Sequence, residues 1–378
     1  MANEDKATRY HRLRRRASLG GTFSGVVLLV ILLISGGSAA VRDIAARSAG
    51  GSFAGTLTLY VIAIALLHEL IQLPIAFYQG VTLERRYELS TQTTAQWWRD
   101  HGKASSIALV FALVGVAVVW SLIRWSPEGW WMWAAVSFAA MLVLLAQLAP
   151  VLLLPLFYEF KPLERGALVA RLVTLAERAG TRVFGVFEWR LSDRTKKANA
   201  ALAGIGRTRR ILLSDTLLAE HSDDEIEVIL AHELAHHVHR DIWSAIGLET
   251  LLIVIGFFVA DRVLTAFATS FGLAGKEDIA ALPLLLLAMG GVSLLLMPLA
   301  NAFSRAHERR ADRYALTMTG NAAAFITAMK RLAAQNLAEE QPSRLVEVLF
   351  HSHPSTGKRI AAAQSWAAAQ AKLAGRLL

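Results

Sequence analysis

Six runs of about 20 or more mostly apolar residues, at about 20–40, 53–78, 104–124, 130–157, 243–267 and 280–302, constrain this chain more than any other feature. A helix rises about 1.5 Å per residue, so ~20 residues cross the ~30 Å hydrocarbon layer of a bilayer. Within lipid every peptide N–H and C=O must be paired inside the segment, which makes each run a helix. The predicted fold class is therefore mainly α: a polytopic transmembrane protein with about six spans. A 54% hydrophobic content and a mean hydropathy of +0.42 over 378 residues agree with that class. The cluster Arg12 to Arg16 followed by an apolar run imitates a signal peptide ending near Ser38-Ala39-Ala40. Its length reads instead as a retained anchor.

The net charge of +9 is assigned to a lipid-facing surface and not to nucleic acid, because the basic residues flank apolar runs. Arg12, Arg14, Arg15, Arg16, Arg85, Arg86, Arg99 and Lys103 fall on one side; only Arg42, Arg47, Arg124 and Lys276 fall opposite. By the positive-inside rule both termini and the segment 158–242 are expected in the cytoplasm. The Ala- and Arg-rich composition suggests a bacterial inner membrane.

Four regions follow: an N-terminal membrane region of four spans (1–157), a polar segment (158–242), two further spans (243–302) and an amphipathic tail (303–378). The polar segment and the tail are expected to pack as one cytoplasmic domain with a small β-hairpin or sheet. Residues 163–179 read as a helix ended by Gly180, and 183–189 as a strand. Strands at 198–202 and 210–213, joined through Gly204-Ile205-Gly206, read as a hairpin. Its edge is either a plain hairpin edge or one that holds an extended substrate by backbone pairing.

The chemistry sits in His232-Glu233-Leu234-Ala235-His236. Residues four apart share a helix face, so both imidazoles can bind Zn²⁺ while Glu233 reaches a water beside it. Ser222 and Glu225 form a capping box opening that helix. With no cysteine in the chain, a metal must be held by His, Asp or Glu. A catalytic zinc, one per chain, needs a third protein ligand, and the helix following the sixth span offers Glu308, with Asp312 one turn on to orient a ligand imidazole. His307 is a rival but points about 100° away. His237 and His239 are rivals offset from the ligand face. Alone, Glu308 would read as a solvated charge among Arg305, Arg309 and Arg310.

These motifs make the chain resemble the integral-membrane CAAX prenyl endopeptidases, type I zinc proteases. The likeness lies in His-Glu-Leu-Ala-His, in Asn301-x-x-Ser304-Arg305-x-x-Glu308-x-x-Ala311-Asp312, and in Gln92-Thr93, Pro155-Leu156-Phe157, Lys161-Pro162-Leu163-Glu164, Asn199-Ala200, Arg210 to Leu218, Ser222 to Ile226 and Ser352-His353-Pro354. It covers most of the chain from about residue 54. The resemblance implies His232, His236 and Glu308 as zinc ligands, Glu233 as base, Asn199 with Ala200 as substrate-backbone contacts, and His353 as an oxyanion donor. Without the resemblance, His353 reads as a helix-entry residue before Pro354. It also implies peptide or protein substrates, prenylated or held at the membrane. The family's seven spans enclose a water-filled chamber, against six spans here; Ser355 and His237 also depart from its pattern.

His68, Glu69 and Gln72 lie within the second run, either lining such a chamber or bonding helices together, with Glu249 as a candidate neighbour. Trp130, Trp131 and Trp133 read as an interfacial belt. Two other functions fit part of the pattern. A quality-control zinc protease would need no prenyl group, and a zinc transporter or scaffold would be non-enzymatic. The clustering of all ligands at one membrane face disfavours the latter.

Overall fold

The computed structural model describes residues 5–204 and 209–375. In chain order it comprises α1 (Lys6–Ile34), α2 (Gly37–Ser48), α3 (Phe53–Phe77), a π-helical stretch (Tyr78–Leu83) running into α4 (Glu84–Arg86), α5 (Thr94–Trp125), α6 (Trp130–Leu152) and α7 (Leu154–Phe157). Next come β1 (Phe160–Pro162), α8 (Gly166–Arg178), β2 (Gly185–Trp189), β3 (Ala200–Ala203), β4 (Arg210–Ser214), α9 (Asp215–Glu220) and α10 (Asp223–Val238). The chain ends in α11 (Asp241–Phe267), α12 (Leu282–Thr319), α13 (Ala322–Gln335), α14 (Arg344–Phe350) and α15 (Thr356–Ala374).

Six of these helices are long and apolar enough to cross a membrane, the number expected, and the protein is an integral membrane protein. Two boundaries differ from the expected ones. The first span lies within Lys6–Ile34 and not at 20–40, because Gly36, at φ +70°, turns the chain into α2. The fourth ends at Leu152, and α7 carries the chain to the sheet. The apolar surfaces divide as a lipid solvent demands. Tyr60, Trp120, Ile123, Phe257 and Leu264 pack inward, whereas Leu66, Val136 and Leu295 stay exposed.

Two polar devices lie within the spans. In α3, Pro74 precedes the π-helical stretch, and a Cβ on Gly80 would stand 2.4 Å from the Trp97 indole nitrogen, so α5 packs there on bare backbone. Trp97 stacks on His101, which lies 2.5 Å from Glu69, while Gln72 donates to the Gly21 carbonyl. His101, and not the exposed Glu249, is thus the partner of Glu69. The tryptophan belt also needs correction. Trp133 is exposed, but Trp130 is fully buried and its indole N–H donates to the buried Asp261 carboxylate at 2.6 Å.

The polar segment forms a four-stranded sheet ordered β1-β2-β4-β3, with β2 and β4 parallel and the outer pairs antiparallel. The expected hairpin is the β3–β4 pair; its connection enters residues 205–208, outside the described residues. Strand β1 was not legible in the sequence, being three residues long. Leu168, Leu172 and Leu175 of α8, Ile211 and Leu213 of β4, and Phe325 of α13 enclose the buried face of α10. Arg15 pairs with Glu339, Lys197 with Glu84 and Arg194 with Asp100. These bridges bind α1 to the tail, and α4 and α5 to the connection between β2 and β3.

Asp261→Ala leaves the Trp130 N–H buried without an acceptor, a loss of about 1–3 kcal/mol. Thermal unfolding in detergent should show a lowered Tm, and an unchanged Tm would mean that this bond contributes nothing to stability.

Candidate metal centre

Helix α10 delivers the first two imidazoles. Its capping box forms as the sequence predicts: Ser222 Oγ accepts from the Glu225 N–H, and Glu225 Oε2 accepts from the Ser222 N–H at 2.9 Å. Ile226, Leu230 and Leu234 turn into the core, which leaves His232, Glu233 and His236 facing α12. There Glu308 meets both rings, its Oε2 3.3 Å from His232 Nε2 and its Oε1 3.5 Å from His236 Nε2. One ligand atom from each of the three residues lies within 4.8 Å of the others.

The remaining ring nitrogens are already committed. His232 Nδ1 is 2.9 Å from Asp312 and His236 Nδ1 is 2.8 Å from Asp241. A carboxylate on Nδ1 fixes each ring and leaves Nε2 as the lone-pair nitrogen aimed at the common centre. Glu308 Oε2 is buried with no aligned hydrogen-bond donor, although charged and polar groups crowd it. A buried carboxylate whose two oxygens each face one oriented imidazole fits a metal ion of the zinc type, whose nitrogen and oxygen donors these are.

Burial opposes protonation of His232, but its bonds to Asp312 and Glu308 outweigh that and push its pKa up to about 9. Burial raises the Glu233 pKa, with the charges of His232 and His236 acting against the rise. That direction suits a proton acceptor which must later release the proton.

The rival ligands lie elsewhere. His307 packs on Phe303 and approaches Asp241 at 3.9 Å, and His239 bonds the Ala235 carbonyl and meets Tyr314 edge-on. His237 reaches the backbone of Leu202. His353 is exposed at the rim with Nδ1 2.8 Å from Glu308 Oε2. Three contributors escaped the sequence reading. Asp241 begins α11, five residues after His236, and also receives Arg310. Arg359 of α15 clamps Asp312 through two hydrogen bonds. Asn336, after α13, pairs both peptide groups of Ala198 through its side-chain amide, accepting at 2.8 Å and donating at 3.2 Å. Asp241 repeats the carboxylate-to-imidazole logic that singled out Asp312; nothing local signals the other two.

Strand β3 is the sheet edge beside α10. Asn199 turns its peptide groups toward Ser214, so by alternation those of Ala198, Ala200 and Leu202 face away from the sheet. The Asn336 amide occupies the Ala198 position, and Asn199 itself is exposed.

Two imidazoles from one helix, a carboxylate from a second, and a neighbouring glutamate define a membrane-embedded metallopeptidase. The comparisons with known proteins agree. Residues 162–367 match the model of peptidase family M48, and residues 2–159 match the CAAX prenyl protease N-terminal model of five membrane helices. In that N-terminal region four helices have membrane length, and α2 has 12 residues. An uncharacterised metalloprotease of Bacillus subtilis is 32% identical over 337 residues, covering 88% of this chain and 79% of the relative. CAAX prenyl protease 1 of Saccharomyces cerevisiae is 28% identical over 320 residues, covering 78% and 69%. The crystal structure of Ste24p from S. mikatae shares the fold, with a TM-score of 0.85 over 95% of this chain and 88% of that one at 22% identity. The chain belongs to peptidase family M48, and it is a metalloendopeptidase.

Because the cation competes with the proton on His232, apparent metal affinity should rise with pH from about 6.5 to about 9. Titrating metal into chelator-stripped protein at several pH values tests this. A pH-independent affinity across that window would contradict the assignment of His232 as a ligand.

Proposed function

We propose that this chain is a zinc endopeptidase that hydrolyses peptide bonds in polypeptides held at the membrane, with His232, His236 and Glu308 as the zinc ligands. The observation that carries the reading is the meeting of Glu308 with both Nε2 atoms while Asp312 and Asp241 hold the opposite nitrogens. Zinc, when bound, supplies a Lewis acid that polarises the scissile carbonyl and acidifies water. Glu233 accepts the proton from the attacking water and delivers it to the leaving amine. His353, at the rim, donates a hydrogen bond to the oxyanion as the carbonyl carbon becomes tetrahedral. An extended substrate pairs with the outward peptide groups of Ala200, next to Asn199, and the Asn336 amide ends the free edge one pair earlier.

Placement of the site at one face of the membrane, pinned there by α11 and α12, supports substrates that are themselves anchored in or beside the bilayer. The likeness to a yeast CAAX prenyl protease supports prenylated peptides as one such class. The basic flanks support a cytoplasmic orientation, and the composition supports a bacterial inner membrane.

Glu233→Gln should keep stoichiometric zinc and lose on the order of 10² to 10⁴ in kcat. Full activity of the purified variant would remove Glu233 from the mechanism. Digestion of matched farnesylated and unmodified peptides, with mass spectrometry of the cuts, reads the substrate class. A large kcat/KM advantage for the farnesylated peptide is expected. Equal turnover of the two would assign the chain to prenyl-independent quality control.

A further inference from the structure

Helix α12 carries Arg305, Arg309 and Arg313 at four-residue spacing, which aligns three guanidinium groups along one face. Arg305 is buried and satisfied, donating to the carbonyls of Glu347 and His351. Arg309 and Arg313 are exposed and make no side-chain hydrogen bond or ion pair among the described residues. The same holds for Arg344 at the start of α14. All of them line one cavity of about 460 Å³ between α12, α14 and α15, together with Lys358. Its two acids are engaged elsewhere: Asp312 by Arg359 and His232, and Glu347 by Lys358 and the Ser355 N–H. Like charges at this spacing repel one another, so the cavity presents uncompensated positive charge.

The lining is not uniformly polar. Leu316, Val348 and Trp366 contribute to it, so a ligand that suits it joins an anion to apolar carbon. The location adds a membrane. Asn301, where the sixth apolar run ends, donates to the Leu349 carbonyl and fixes α14 beside that level of α12. Helix α14 leaves Leu345 68% and Phe350 40% exposed, the pattern of a short helix lying in the interface.

We infer that this cavity binds the phosphate headgroup of an anionic phospholipid, with Arg309, Arg313 and Arg344 as its phosphate contacts and the acyl chains leaving past Val348 toward the level of Asn301. The site is separate from the metal centre but shares a wall with it. Arg359 closes the cavity on one side and clamps Asp312, the partner of His232, on the other. Arg305 meanwhile holds the residue two before His353. An occupied cavity therefore steadies both the metal ligand and the rim histidine.

The test is lipid retention by the full-length protein in detergent, read by native mass spectrometry without peptide substrate. Phosphatidylglycerol and phosphatidylcholine are compared, with glycerol phosphate as a soluble competitor, on the wild type and on an R309Q/R313Q/R344Q variant. None of the three arginines belongs to the metal centre, and an unchanged metal content checks that the variant is folded. The wild type should retain phosphatidylglycerol in preference to phosphatidylcholine. The variant should lose that preference by on the order of tenfold, as expected for removing several cations from an anionic headgroup. Equal retention of the two lipids, or a preference undiminished in the variant, would overturn the proposal. Complete displacement by glycerol phosphate at matched concentration would also overturn it, by assigning the site to a soluble phosphate ester. Because no peptide is cleaved, a negative result here leaves the proposed peptidase reading untouched, and the reverse is also true.

Discussion

The acidic half of the candidate metal centre is carried on membrane-spanning helices, and the rest of the arrangement depends on that. Asp241 is the first residue of α11, and Glu308 and Asp312 lie on the 38-residue α12, which runs unbroken from the apolar core of the membrane to the site. At about 1.5 Å per residue such a helix is nearly twice as long as the hydrocarbon layer is thick, so its last turns must emerge from it. The height of Glu308 above the bilayer is fixed by covalent continuity. A peptidase built this way cannot drift from the membrane, because detaching it would dismantle its own ligand set.

The histidine half comes from the other side. Helix α10 is held by its capping box, by the sheet and by α8 and α13. Charged groups buried between two such bodies are costly unless each is paired. Here Asp312 and Asp241 take the outer ring nitrogens, and the two oxygens of Glu308 face the inner ones, Oε2 toward His232 and Oε1 toward His236. The tail then locks the assembly: Arg359 clamps Asp312, Lys358 holds Glu347, and Asn336 ties Ala198 to α13. A positive charge at the common centre would be held by the Glu308 carboxylate and both inner ring nitrogens.

What the sequence disclosed follows from how local each feature is. The spans were legible because lipid imposes a length and a composition on every crossing helix. His232, Glu233 and His236 were legible because their relation is internal to one helix, and Glu308 with Asp312 because a second helix repeats the same four-residue logic. The structure brings these five together. Arg359 and Asn336 were invisible, since each acts through a tertiary contact that no spacing encodes; Asp241, five residues after His236, carried the same carboxylate-to-imidazole signal as Asp312. Trp130 was misread because a tryptophan at a span end resembles an interfacial anchor until its acceptor, Asp261 on a distant helix, is known. The end of the first span was misplaced because apolar and small residues continue past Gly36, where the backbone and not the composition stops the helix.

X-ray absorption at the zinc edge of the purified full-length protein tests the central claim most directly. One zinc per chain is expected in a low-coordinate shell of nitrogen and oxygen with two imidazole signatures, lost or reorganised in Glu308→Ala. A wild-type spectrum lacking imidazole scattering, or an identical spectrum for Glu308→Ala, would contradict it.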